Sequence, residues 1–166
     1  LSYSPHSSPT YFYDPYIIVI DIVLLLCELG FYNIAIKIKP GDKSMNYIKL
    51  NDYLYKGPYK KITSETTIDY LTGNFCNHVL KSNCIIGQLS TASIEATFHN
   101  IPYYVYEPHC NGKNDWILKS STITSLDRIA RNIEQLKHML LNKNKSINCS
   151  YDHLFKGPTL DNVNLF

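Results

Sequence analysis

Two hydroxyls and two ammonium groups carry most of the chemistry that the residue types and spacing of this chain allow. Ser90 and Thr91 stand together after the apolar run Cys84-Ile85-Ile86-Gly87 and before Ala92-Ser93-Ile94-Glu95-Ala96, where a helix begins. Backbone N–H groups at a helix start lack intrahelical acceptors and carry the positive end of the helix dipole, so a phosphate is the natural guest. The paired hydroxyls would add donors. The competing reading is that either hydroxyl caps its own helix. Lys37 and Lys39 alternate with Ile36 and Ile38 at the end of another apolar stretch, which sends both ammonium groups to one face of a strand near its carboxyl end. They are either the polar side of an edge strand or a basic lining for the same anion.

Those four residues need a scaffold, and the neighbouring sequence supplies one. Residues 84–87 read as a buried parallel strand, residues 90–98 as a helix, and residues 103–107, aromatic or β-branched until Glu107, as the next strand. Asn100 can end the helix in a left-handed conformation and Pro102 prevents its continuation, so the unit is βαβ. His109 follows its second strand, on the edge where ligands gather in open α/β sheets. Upstream, Asp14-Pro15 starts a helix that Gly30 stops. Asp14, Asp21 and Glu28 recur every seven residues on an otherwise apolar surface, so this helix requires cover on most sides. Ile34, Ile36 and Ile38 predict a strand with one face in the core, turned by Pro40-Gly41-Asp42. The Tyr-rich residues 44–59 read as a short helix and loop, residues 61–63 as a short strand, and residues 64–71 and 75–81 as helices. Thr124 or Ser125 caps a long final helix with Leu126, Ile129, Ile133, Leu136 and Leu140 as its core stripe. The organisation expected is an arm or linker over 1–13, one lobe over 14–141 and a tail over 142–166.

At 166 residues with a formal net charge of +2, the chain fits one core, or one lobe of a larger enzyme. Its basic residues are scattered and form no stripe for nucleic acid. Five cysteines, Cys27, Cys76, Cys84, Cys110 and Cys149, leave one over under any full disulfide scheme and make no CxxC pair. They read as reduced thiols in a cytoplasmic protein, with neither zinc nor a cofactor expected. The apolar residues 16–29 are too few for a membrane span and are interrupted by Asp21 and Glu28. A chain that opens on Leu1 without a basic leader does not read as a signal peptide and reads as a fragment.

Taken together, Lys37-Ile38-Lys39-Pro40 at a strand end and Ser90-Thr91-Ala92-Ser93-Ile94-Glu95-Ala96 opening a helix resemble the carboxyl-terminal, donor-binding half of GT-B glycosyltransferases. The bacterial sialyltransferase and polysialyltransferase group of capsule and lipooligosaccharide assembly is the nearest likeness, with its Lys-x-His-Pro strand end and its Ser-Ser or Ser-Thr pair before a helix. The resemblance spans residues 14–141 and implies a Rossmann-like, three-layer α/β domain with a mainly parallel sheet, one lobe of a GT-B fold. It implies that Ser90 and Thr91 hold the donor phosphate, that Lys37 lies near the base or phosphate, and that Glu95 receives ribose hydroxyls. Lys39 stands where the family has histidine; it can neutralise the departing phosphate but is a poorer acid near neutral pH.

The implied donor is CMP-sialic acid or a similar nucleotide sugar, and the implied acceptor a surface glycan. The absence of an Asp-x-Asp motif predicts metal independence. The family's general base belongs to an amino-terminal lobe with no match here, so that lobe is expected elsewhere in the same protein or on a partner chain. A cytoplasmic place follows, with peripheral contact at the inner face of the membrane left open. The alternatives are a CDP-alditol phosphotransferase, a nucleotide-sugar 2-epimerase-like enzyme, or a non-catalytic nucleotide- or partner-binding domain.

Overall fold

A computed structural model describes residues 2–3, 15–38, 46–88, 90–108 and 129–142. Its strands are β1 (Ser2–Tyr3), β2 (Asn33–Ile38), β3 (Thr67–Leu71), β4 (Ile85–Gly87), β5 (Tyr103–Tyr106) and β6 (Ile129–Ala130), joined in one sheet of order β3-β2-β1-β4-β5-β6. Every pairing is parallel. Parallel neighbours cannot be joined by a tight turn, so the connections cross the faces of the sheet and the fold is α/β. The helices are α1 (Pro15–Glu28), α2 (Tyr47–Asn51), α3 (Lys60–Thr63), α4 (Cys76–Val79), α5 (Thr91–Phe98) and α6 (Ile133–Leu141), with a π-helical turn over Asp52–Lys56. From β1 the chain steps outward to β3, returns to the middle at β4 and steps outward the other way. The direction of winding therefore reverses between β1 and β4.

Side chains of β4, β5 and β6 alternate between two buried clusters. Ile86, Tyr104, Tyr106 and Ala130 join α1, α6 and the β2 residues Ile34 and Ile36. Ile85, Tyr103, Val105 and Ile129 join Val79 of α4 with Ala92 and Ala96 of α5. Successive residues of a strand point to opposite faces, so the two clusters lie on opposite sides of the sheet. Helix α1 is buried on most of its circumference, as its apolar surface requires, while Ile17 is half exposed. It closes on Gly30 (φ 79°), where Gly30 N–H reaches the Cys27 carbonyl and Phe31 N–H the Leu26 carbonyl. Helix α5 closes the same way on Asn100 (φ 56°), with Asn100 N–H on Thr97 and Ile101 N–H on Ala96. These paired bonds are the Schellman closure, which needs a left-handed residue.

Tyrosine hydroxyls fix the carboxyl edge of the β2–β3 half. Tyr47 accepts from the Ile38 N–H at 3.1 Å and donates to the Leu71 carbonyl at 3.0 Å, tying the last residues of both strands to α2. Tyr16, at the start of α1, accepts from the Asn46 N–H at 2.6 Å and carries the Lys49 ammonium 4.6 Å from its ring centroid. Among the described residues no helix is long and apolar enough to cross a membrane.

Four expectations need correction. Ser2–Tyr3 is not part of an arm but a central strand, paired to Lys37 and Ile38 on one side and to Gly87 on the other. Residues 61–63 are helical, in α3, and Thr67–Leu71 is strand β3 rather than helix. The last helix does not begin at Thr124 or Ser125, because Ile129–Ala130 pairs with β5 as β6 and α6 starts after Asn132. The cap at Asn132 is well made: its side chain accepts from Gln135 N–H at 2.9 Å, and the Gln135 side chain accepts from Arg131 N–H at 2.8 Å.

Candidate functional site

The place where winding reverses is the place to build a site, because there the connections leaving adjacent strands turn away to different sides and leave a crevice at the carboxyl edge. Strand β4 ends at Gly87, and α5 rises from that edge. Ser90 is its N-cap residue, extended at φ −157° and ψ 174°, yet its side chain makes no capping hydrogen bond. Ser90 is exposed. The local bonds are made one turn on, where the Ser93 hydroxyl donates to the Ser90 carbonyl at 2.6 Å and the Ser93 N–H to the same oxygen at 3.0 Å. The Ser90 hydroxyl is therefore not spent on the ordinary cap. Thr91 is the first residue of α5.

Tyr103 sets this turn from below. It is fully buried, and its hydroxyl donates to the Gln88 carbonyl at 2.5 Å. Burial pushes the phenol far above its ordinary range; the Ser90 hydroxyl beside it draws it back and the Glu107 carboxylate raises it further. Glu107 is itself buried at the end of β5, with its N–H on the Ala130 carbonyl at 2.8 Å. Sequence reasoning missed Tyr103 as a support, since in a run of four aromatic or β-branched strand residues nothing marks the one whose hydroxyl is used. Glu95, one turn into α5, is half-buried and accepts from the Cys76 thiol at 3.2 Å, which joins α5 to α4. That hydrogen bond is the main reason the Cys76 thiol is raised above its usual range.

Lys37 lies elsewhere on the same side of the sheet. Its strand neighbours Ile34 and Ile36 enter the α1 core, so Lys37 points to the α4 and α5 side, and it is only 7 % exposed. It lines a cavity of about 420 Å³ with Asp69 and Leu71 of β3 and with Phe75, His78 and Lys81 around α4. Ser90 and Glu95 are not among the described walls of that cavity. The cavity also touches Ile34 and Ile86 from the opposite core, so it runs into the gap between β2 and β4. Among the described residues β1 pairs with β2 at Lys37 and Ile38. A second cavity, of about 410 Å³, lies between α1 and α6 and is lined by Asp21, Glu28, Glu134 and Lys137.

Of the residues expected in the site, Ser90 and Thr91 stand at the reversal point, Glu95 faces α4, and Lys37 occupies the neighbouring cavity. Lys39 and His109 lie outside the described residues. No group of three or more His, Cys, Asp or Glu side chains among the described residues is arranged to hold a metal ion. Chemically, the start of α5 can receive an anion from solvent beside the exposed Ser90, at the positive end of an eight-residue helix. Compared with known protein families, with curated proteins and with solved structures, the chain matches none.

Proposed function

We propose that this chain is the nucleotide-sugar-binding lobe of a glycosyltransferase, a Rossmann-like, three-layer domain of GT-B type. The observation that carries the reading is a coincidence of position. The N-terminus of α5, with the Ser90 side chain free of the ordinary cap and set against the Tyr103 phenol, stands where the strand order reverses. In this reading a donor phosphate on that turn meets the helix dipole and the Ser90 and Thr91 hydroxyls. As the sugar departs, charge grows on the phosphate oxygens, and donors already in place stabilise it more than they stabilise the bound donor. Lys39 serves as the charge partner of the leaving group. Transfer to a glycan acceptor then needs a general base from an amino-terminal lobe, on the same protein or a partner. CMP-sialic acid or a related donor fits the resemblance of the two motifs, and the work is done in the cytoplasm or at the inner face of the membrane.

The test is a thermal-shift panel with CMP, CDP, UDP and CMP-sialic acid. Saturable stabilisation by one nucleotide class supports the reading. Indifference to all four refutes it and favours a domain that binds a partner protein instead.

A further inference from the structure

We propose that the outer face of the crossover between β2 and β3 is a docking surface for an anionic lipid bilayer. Helix α2 runs straight on into the π-helical turn, one helical stretch over residues 47–56. Leu50 and Leu54 are fully buried beneath it, so Ile48, Lys49, Asp52, Tyr53 and Lys56 share the opposite, exposed face. Ile48 is 74 % exposed and Tyr53 38 %. The Lys49 ammonium lies 4.6 Å from the Tyr16 ring centroid and 5.9 Å from that of Tyr53, so cation and aromatic stand side by side. Such a mixture suits a headgroup layer: apolar tips enter the acyl boundary while ammonium groups stay among the phosphates.

Charge selects the lipid. Residues 47–63 hold Lys49, Lys56, Lys60 and Lys61 against Asp52 alone, a charge of +3, while the whole chain carries +2 and its remainder is therefore net negative. Asp52 is already met by Lys56 at 2.7 Å, so Lys49, Lys60 and Lys61, all exposed, remain for lipid phosphates. A second copy on this face would set lysine against lysine. Ile62, although exposed, borders the acidic cavity of Asp21, Glu28 and Glu134 and marks the limit of the face. Position gives the docking a consequence. Tyr47 ties α2 to the last residues of β2 and β3, and α5 rises from the carboxyl end of β4. All pairings are parallel, so this face and the start of α5 share one edge of the sheet, and docking sets that start against the headgroups. The docking itself requires no nucleotide.

The experiment is co-sedimentation of the full chain with phosphatidylcholine vesicles and with vesicles in which about a third of the lipid is phosphatidylglycerol. The anionic vesicles should bind at least about tenfold more tightly, and salt should weaken their binding. Lys49→Gln with Lys60→Gln and Lys61→Gln should weaken it about 100-fold, and Ile48→Ser with Tyr53→Ser at least about tenfold. Ser90→Ala with Thr91→Ala should bind vesicles as the parent does; a loss there would overturn the proposal by moving the lipid phosphate to α5. Equal binding of both vesicles, binding of neither, or undiminished binding in the lysine variant would each overturn it. Undiminished binding without Ile48 and Tyr53 would overturn it in favour of an acidic protein partner. Should a face variant fail to fold, Tyr53→Trp with vesicles of acyl-brominated phosphatidylglycerol decides. Quenching beyond that of the parent, whose one tryptophan is Trp116, supports the docking, and quenching equal to the parent's overturns it.

Discussion

Replacing Tyr103 by Phe removes one oxygen from the middle of the sheet and leaves the ring in place. In the parent chain that ring is 0 % exposed and its hydroxyl holds the Gln88 carbonyl at 2.5 Å, two residues before Ser90. No ring-sized cavity opens, so the expected cost is that of the hydroxyl's hydrogen bonds to the Gln88 carbonyl and the Ser90 hydroxyl, about 1–2 kcal/mol. For a chain of this length that lowers the melting temperature by about 2–8 °C. The turn from β4 into α5 also loses its anchor, and nucleotide binding should weaken by about three- to tenfold, or roughly 0.7–1.4 kcal/mol. Chemical denaturation and nucleotide titration of the same preparations measure both. Tyr104→Phe is the control: Tyr104 points into the opposite cluster and makes no hydroxyl hydrogen bond among the described residues. A Tyr103→Phe protein as stable as the Tyr104→Phe protein would refute the hydrogen bond. Lost stability with undiminished nucleotide affinity would refute its link to the site.

Three further outcomes are expected. Gly57→Ala should cost about 1–3 kcal/mol in denaturant unfolding, because the new Cβ would stand 2.6 Å from the Tyr53 carbonyl oxygen; a neutral substitution contradicts the turn geometry there. Burial pushes the Tyr70 and Tyr106 phenols from 10.0 to about 12. The unfolded chain loses those protons first, so stability is intact below pH 10 and falls as pH rises through about 12. Urea midpoints that stay level across that window would show that the phenols are not shielded. Asp21→Asn should stabilise the chain at neutral pH, since burial raises the Asp21 carboxyl above its usual value. The advantage should close in acid, where the parent protonates the same carboxyl more readily folded than unfolded, and a gap independent of pH would exclude that cause.

The elements legible in the sequence were those with an uninterrupted pattern and a marked end. Pro15 and Gly30 bracket α1, Ile34 and Ile36 alternate into the core, and Asn100 with Pro102 ends α5. What escaped was short or set by neighbours. Two residues, Ser2 and Tyr3, carry no period, and their position between β2 and β4 is seen only in the backbone pairing. Ile129 fitted a helical stripe with Ile133 and Leu136, yet β5 recruits it as strand. The signal that could have corrected this was present, since Asn132 and Gln135 have capping-box spacing. In the site, the alternation of Lys37 with isoleucines was legible, but its burial was not. An edge strand would leave such a lysine in water, whereas β2 is flanked by β3 and β1. The role of the Ser90 hydroxyl was equally hidden, because sequence cannot separate a serine that caps its helix from one whose hydroxyl turns to a buried tyrosine.

Calorimetric titration of the best-binding nucleotide into the parent chain and into Ser90→Ala/Thr91→Ala tests most directly whether an anionic group is held at the start of α5. The matching phosphate-free nucleoside is titrated beside it. Loss of two charge-assisted hydrogen bonds predicts at least about 100-fold weaker nucleotide binding in the double variant, with the nucleoside binding weakly and alike to both proteins. Equal nucleotide affinity in parent and variant would contradict a phosphate on this turn.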